Sequence, residues 1–132
     1  MSNDTDTGWA VAGAFLEAFA GQDFAALAEC LDPDVHFRAL IPPGLIDVTG
    51  ADDTVGRFRH WFGADTFELV DASVGRVGDR VALSWRVRTS PPGDPTAVKI
   101  VEQRMFAAAD DRIHSIDLLC SGFQPEQKEN RS

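Results

Sequence analysis

Arg80-Val81-Ala82-Leu83-Ser84-Trp85-Arg86-Val87-Arg88-Thr89 alternates apolar or small residues with polar ones over ten positions. That period predicts a strand with one buried face, Val81, Leu83, Trp85 and Val87, and one wet face, Ala82, Ser84, Arg86 and Arg88. The period of two continues outward on both sides. Phe67 to Val77 precedes the run, and Thr96 to Ala108 and Arg112 to Phe123 follow it. The turns are Gly78-Asp79, Pro91-Pro92-Gly93-Asp94 and Asp110-Asp111, and connections this short join antiparallel neighbours.

Further upstream the period is helical. Gly8 to Ala20 brings Ala12, Phe15, Leu16 and Phe19 to one side and stops at Gly21. Asp23 can cap a second helix with Phe24, Leu27, Ala28 and Leu31 inward, closed by Asp32-Pro33. Val35 to Ile41 predicts a strand ending at Pro42-Pro43-Gly44, with Ile46 to Thr49 as a short return. A third helix starts at Asp52 or Asp53, turns Val55, Phe58, Arg59 and Phe62 to one side and ends at Gly63. Three helices followed by a long meander predict an α+β domain, with the helices on one face of a curved, mainly antiparallel sheet. Such a cone has an open mouth, a natural place for a ligand. The domain is expected to span 8–124, with 1–7 and 125–132 as flexible polar ends. Val101, Met105 and Leu119 are expected on the convex face, and a half-apolar face of this kind suggests a homodimer.

The chain has 132 residues and a net charge of −9, with 44% hydrophobic and 25% charged residues. Those fractions belong to one globular domain with its own core. The negative charge and scattered Lys and Arg argue against nucleic acid and anionic membranes as partners. Met1 to Thr7 is polar and acidic, unlike a secretory leader, and no apolar run is long enough to span a membrane. Cys30 and Cys120 are expected as buried thiols in a reducing cytoplasm. His36, His60 and His114 lack metal-ligand spacing, and there is no glycine-rich phosphate loop and no GxSxG elbow. No cofactor or metal is therefore implied.

The chemistry-bearing candidates sit in Val98-Lys99-Ile100-Val101-Glu102-Gln103-Arg104-Met105-Phe106. Placing Val98, Ile100, Glu102, Arg104 and Phe106 on the inner face puts a carboxylate against apolar walls, which raises its pKa and suits it to proton transfer. Equally, Glu102 could be an ion-pair partner of Arg104 or Arg59. Arg104 could hold a carboxylate, phenolate or enolate oxygen. His114 shares a face with Ile116, Leu118 and Cys120 if alternation holds, or stands in solvent at the sheet end, the placement the sequence favours, while His60 and His36 are expected on the surface. Phe15, Phe19, Phe37, Phe58, Phe62, Leu83 and Trp85 would line or fill the cone. The Trp85 indole N–H needs a partner once buried.

Phe15-Leu16-Glu17-Ala18-Phe19-Ala20-Gly21-Gln22-Asp23-Phe24, Leu31-Asp32-Pro33-Asp34-Val35-His36-Phe37 and Asp111-Arg112-Ile113 stand in the order and spacing of the nuclear transport factor 2-like superfamily. The chain resembles that superfamily, the cystatin-like α+β cones, from about Gly8 to Pro125. Its nearest branch looks like the SnoaL-like polyketide cyclases and ketosteroid isomerases, with limonene epoxide hydrolase close by. The isomerases combine a first-helix Tyr, an acid on the penultimate strand and a first-strand Asp. The corresponding positions here hold Phe15, Glu102 and Ala39. In the hydrolases, an Arg and Asp two apart on the penultimate strand resemble Glu102 and Arg104 in reversed order. Phe37 and Ala39 stand where their Tyr and Asn would be. Their second Asp corresponds to Leu118, and only a bulge would bring Asp117 inward.

The resemblance implies cofactor-free acid–base chemistry on a small hydrophobic, cyclic or polyketide-like molecule. Glu102 would move the proton, Arg104 would stabilise negative charge, and His114 or Asp117 would assist. The missing Tyr and Asp favour the alternative, a non-catalytic binding or dimerisation module.

Overall fold

The computed structural model describes residues 4–42 and 44–126. The expected turn residue Pro43 and, of the expected flexible ends, 1–3 and 127–132 lie outside them. Helix α1 (Asp4–Ala20) begins before Gly8, and α2 (Phe24–Glu29) follows a tight corner. Gly21 was the expected stop, but Gln22 takes the left-handed conformation there, with φ of 52°. Its side-chain Nε2 donates to the Phe62 carbonyl at 3.0 Å, fixing the corner to the end of the third helix. Asp23 caps α2 by accepting from the Ala26 N–H at 3.0 Å.

Strands β1 (Leu31–Ile41) and β2 (Gly44–Thr49) form a hairpin, and α3 (Ala51–Phe62) follows. Gly50 rather than Asp52 or Asp53 is the N-cap, with φ of 111° that only glycine adopts readily. The meander is β3 (Thr66–Val77), β4 (Arg80–Ser90), β5 (Lys99–Ala109) and β6 (Ile113–Cys120), and β7 (Gln124–Pro125) pairs back onto β5. The expected tail therefore begins as sheet, and Glu126 holds Arg88 at 2.9 Å. β5 starts at Lys99, not Thr96, because the Thr96 N–H and hydroxyl both donate to the Asp94 carboxylate in a local turn.

The sheet order is β2-β1-β6-β5-β4-β3, antiparallel except for the parallel β1–β6 pair. Two bulges bend it. Between Leu69 and Asp71 the β3 register slips against β4, so Phe67, Leu69, Ala72 and Val74 all turn inward while Val70 is exposed. A second slip places Ile113 opposite Ala109 and Ser115 opposite Ala108, skipping His114.

The helices close the concave face over a packed core. The inner face of β4 is Val81, Leu83, Trp85 and Val87, as the alternation predicts, and all four are buried. On β5 the inner residues are Val101, Gln103, Met105 and Ala107. Val101 and Met105 were expected on the convex face, so the phase of this strand is the reverse of the expectation. Both phases of β5 are largely apolar, Val101, Met105, Ala107 and Ala109 in one and the larger Ile100 and Phe106 with Ala108 in the other, but the second also carries Glu102 and Arg104 mid-strand. Burying two charges costs far more than burying one amide whose hydrogen bonds are met. Charge, not apolar count, sets the phase.

Candidate functional site

The cone interior is filled by rings. Phe15, Phe19, Phe37, Phe58, Phe62 and Trp85 are all buried. Phe19 and Trp85 have centroids 4.4 Å apart, Phe19 and Phe62 5.3 Å, and Phe15 and Phe58 5.8 Å, mostly tilted or edge-to-face. Leu83, Ile116 and Leu118 complete the packing. These residues fill the cone rather than line a void. Among the described residues no Asp, Glu, Lys, Arg or His is buried.

One polar chain runs through this core. The Trp85 Nε1–H donates to Gln103 Oε1 at 2.9 Å, and Gln103 Nε2 donates to Cys120 Sγ at 3.3 Å. The Gly122 N–H also points at that sulfur, at 3.4 Å. Gln103 is 3% exposed, so its amide is the partner the indole requires. Cys120 carries this chain to the mouth, and both cysteines are free thiols. Cys30 is the more deeply placed, and burial, with Glu29 nearby, pushes its thiol up.

The mouth holds a hollow of about 360 Å³, lined by Ile41, Pro42, His60, Trp61, Asp65, Lys99, Cys120, Gly122 and Phe123. Its walls come from the end of β1, the last turn of α3 and the segment after β6. Trp61 packs edge-on to Phe58 at 5.5 Å, and Phe123 lies 5.9 Å from Phe62, so the ring cluster of the core continues into the wall. Among the described residues His60, Asp65 and Lys99 form no hydrogen bond or ion pair with another side chain. Of the residues singled out in the sequence, Cys120 reaches this hollow and the rings stop behind it. Trp61, Phe123, Asp65 and Lys99 were missed, since each lies at the end of an element where no period marks it.

Glu102, Arg104, His114 and Asp117 all stand on the outer face. This corrects the expected inward placement of Glu102 and Arg104, takes the solvent position of the two open to His114, and leaves Asp117 outward as strict alternation has it. Glu102 is 54% exposed and accepts from Arg86 Nε at 2.7 Å and Nη2 at 2.6 Å. Its partner is thus neither Arg104 nor Arg59; Arg59 lies over the Phe24 ring instead. Arg104 forms no ion pair among the described residues. Asp117 accepts from Arg38 at 2.7 Å and lies 3.6 Å from Arg80. A bulge does exist in β6, but it lies before Asp117 and turns His114 outward instead.

There His114 stands between two carboxylates, Nε2 2.8 Å from Asp110 Oδ1 and Nδ1 3.2 Å from Asp32 Oδ2. Both nitrogens must carry protons to satisfy both contacts. The Asp110 hydrogen bond, helped by the charges of Asp110 and Asp32, raises the His114 pKa. In turn His114 and the Arg112 N–H hold the Asp110 carboxyl well below the usual carboxylate range. The outer face also has a groove of about 520 Å³, whose lining includes Asp71, Ser73, Ser84, Arg86, Glu102, Arg104 and Leu119.

Helices over a bent sheet, with the mouth at the strand and helix ends, define the cone-shaped α+β class of small pocket folds. The family model for the SnoaL-like domain matches residues 12–116, and the chain belongs to that family. No curated protein matches the chain in sequence. Among solved structures it is similar to a Mycobacterium tuberculosis LEH-like epoxide hydrolase, with 19% identity over 90% of this chain and 86% of that one and a TM-score of 0.68. A protein of ketosteroid isomerase-like fold from Catenulispora acidiphila, solved with trimethylamine, shares 18% identity over 85% of each chain at a TM-score of 0.64. An NTF2-like protein from Burkholderia xenovorans shares 11% identity over 89% of this chain and 91% of that one, at 0.66. At these identities the likeness is one of fold. Among the described residues no helix is long and apolar enough to cross a membrane.

Proposed function

We propose that this SnoaL-like domain binds a small, hydrophobic, ring-bearing molecule at the mouth of the cone and performs no carboxylate-driven chemistry inside it. The mouth hollow carries this reading. Trp61, Phe123, Ile41 and Pro42 offer an apolar slot of about 360 Å³, and His60, Asp65 and Lys99 at its rim, without side-chain partners among the described residues, can orient a polar substituent. Behind it, among the described residues, the core holds no buried carboxylate to move a proton, and the Trp85–Gln103–Cys120 chain faces the mouth. Cyclic and polyketide-like molecules have the required shape and polarity. The protein is expected to act in the cytoplasm, without cofactor, membrane or nucleic acid.

A catalytic version on the same ligand, cofactor-free isomerisation, cyclisation, dehydration or hydrolysis, has a specific observation in its favour: an imidazole and a carboxylate, His60 and Asp65, both border the slot. Glu102 and Arg104 would serve it only for a ligand on the outer groove.

Calorimetric titration with 2-naphthol as probe tests the proposal. Binding is expected with the wild type, to be lost with Phe123→Arg and to persist with Glu102→Gln. Absence of binding, or loss with Glu102→Gln and not with Phe123→Arg, would remove the mouth site.

A further inference from the structure

We infer that the molecule taken at the mouth is a ring-bearing carboxylic acid whose carboxylate is held by Lys99, a reading that rests on the mouth being the binding site and names the class of ligand it takes. Lys99 and Lys128 are the chain's only lysines, and Lys99 borders the slot. Most of the described arginines are committed elsewhere. Arg38, Arg80, Arg86 and Arg88 have carboxylate partners, and Arg57, Arg59 and Arg76 lie over the rings of Trp61, Phe24 and Trp9. Among the described residues Lys99, Arg104 and Arg112 have neither kind of partner. Of these three, Lys99 alone lines the mouth hollow.

The sign of the charge around the slot is opposite to that of the chain. A net charge of −9 repels anions from most of the surface. At the mouth the lining holds a single carboxylate, Asp65, against the Lys99 ammonium and the titratable His60. A further cation stands at the Trp61 wall. The Arg57 guanidinium carbon is 5.6 Å from the centre of that ring, and Arg57 Nε is buried with no hydrogen-bond partner among the described residues. A guanidinium short of partners keeps more of its charge uncompensated. The carbonyls at the end of α3, which would oppose an anion, are engaged: that of Phe62 by Gln22 Nε2 and that of Arg59 by the Gly63 N–H.

An ammonium beside an apolar slot binds a carboxylate through a charge-assisted hydrogen bond, stronger than a neutral one. Asp65, an acceptor when ionised, then suits a hydroxyl on the same ring system. A cationic ligand would meet Lys99 and Arg57 with Asp65 alone in its favour. A hollow of about 360 Å³ is at the small end of ligand sites and suits one or two fused rings.

Calorimetric titration with three probes built on one ring system tests this: 2-naphthol, 6-hydroxy-2-naphthoate and the methyl ester of that acid. All three are expected to bind, the carboxylate about 10-fold more tightly than the ester. Lys99→Met should bring that ratio close to 1. Arg104→Met, which removes the same charge from the outer face, should leave it as it is, with circular dichroism confirming that both variants fold. The ratio should also shrink between about 50 and 500 mM salt. If 2-naphthol binds but the carboxylate binds no better than the ester, the assignment is overturned while the mouth site stands. A preference that persists in Lys99→Met, or falls equally in Arg104→Met, overturns it as well. If none of the three probes binds, the mouth site itself fails and takes this assignment with it.

Discussion

Glu102 and Gln103 are adjacent in sequence and opposite in circumstance. Gln103 is buried with both ends of its amide engaged, by the Trp85 indole and the Cys120 sulfur. Gln103→Leu keeps the volume but strands the indole N–H, and leaving a buried donor unmet costs about 1–3 kcal/mol. Urea unfolding followed by tryptophan fluorescence should show that loss. Glu102→Gln breaks an ion pair whose two side chains are about half exposed. Pairs of that kind contribute about 0–1 kcal/mol, so its unfolding midpoint should barely move. A loss above about 2 kcal/mol would contradict the placement of Glu102 on the outer face. The sequence showed that a charge in this strand was anomalous. It concealed which way the anomaly resolved, because both phases are largely apolar and the relative cost of burying Glu102 and Arg104 against Gln103 separates them.

Bulges decide the geometry of individual elements. In β6 the skipped His114 clasps the β5–β6 turn to the start of β1 through Asp110 and Asp32. His114 has its pKa raised above its ordinary 6.5, so its stabilising contribution is complete below that value and is lost as pH rises through the folded-state pKa. Asp110 is lowered below its ordinary 3.8, so its contribution is present above that value and fades as pH falls further. Wild-type protein should therefore lose melting temperature through the alkaline side of His114's titration, and His114→Ala should lose less over the same interval. Identical slopes in the two proteins would dissolve the clasp. The end of α3 offers a second check. A Cβ on Gly63 would lie 2.6 Å from the Arg59 carbonyl oxygen, so Gly63→Ala must distort the last helical turn. A cost of about 1–3 kcal/mol is expected in thermal or urea unfolding. Strict alternation locates every long strand of the meander but cannot see a one-residue slip, so the sequence leaves both His114 and Asp117 open between the two faces. Helix caps and turn residues, by contrast, were legible at Asp23 and Gly63, where local chemistry alone determines the geometry.

Over the whole molecule, order and period carried the fold. Helical spacing up to Gly63 and strand spacing after it are enough to build the cone, because each apolar stripe has only the facing stripe to pack against. The same aromatic stripes that define the fold also fill it, which is why Phe15, Phe19, Phe58 and Trp85 could not be told from pocket walls in the sequence. Phe58 sits among Phe15, Phe19, Phe37, Trp61 and Trp85, and Phe58→Ala should cost about 3–5 kcal/mol as the cavity fails to close. The mouth was illegible for the opposite reason. Ile41, Trp61, Asp65, Lys99 and Phe123 are distant in sequence, sit at element ends and share no period.

The most direct test of a binding mouth above a closed core is the tryptophan indole region of the proton–nitrogen NMR spectrum during titration with 2-naphthol. The Trp61 indole signal should shift progressively while the Trp85 signal, held by Gln103 behind the rings, stays in place. A Trp85 shift with Trp61 unmoved would mean that the ligand enters the cone interior, contradicting both the closed core and the site at its mouth.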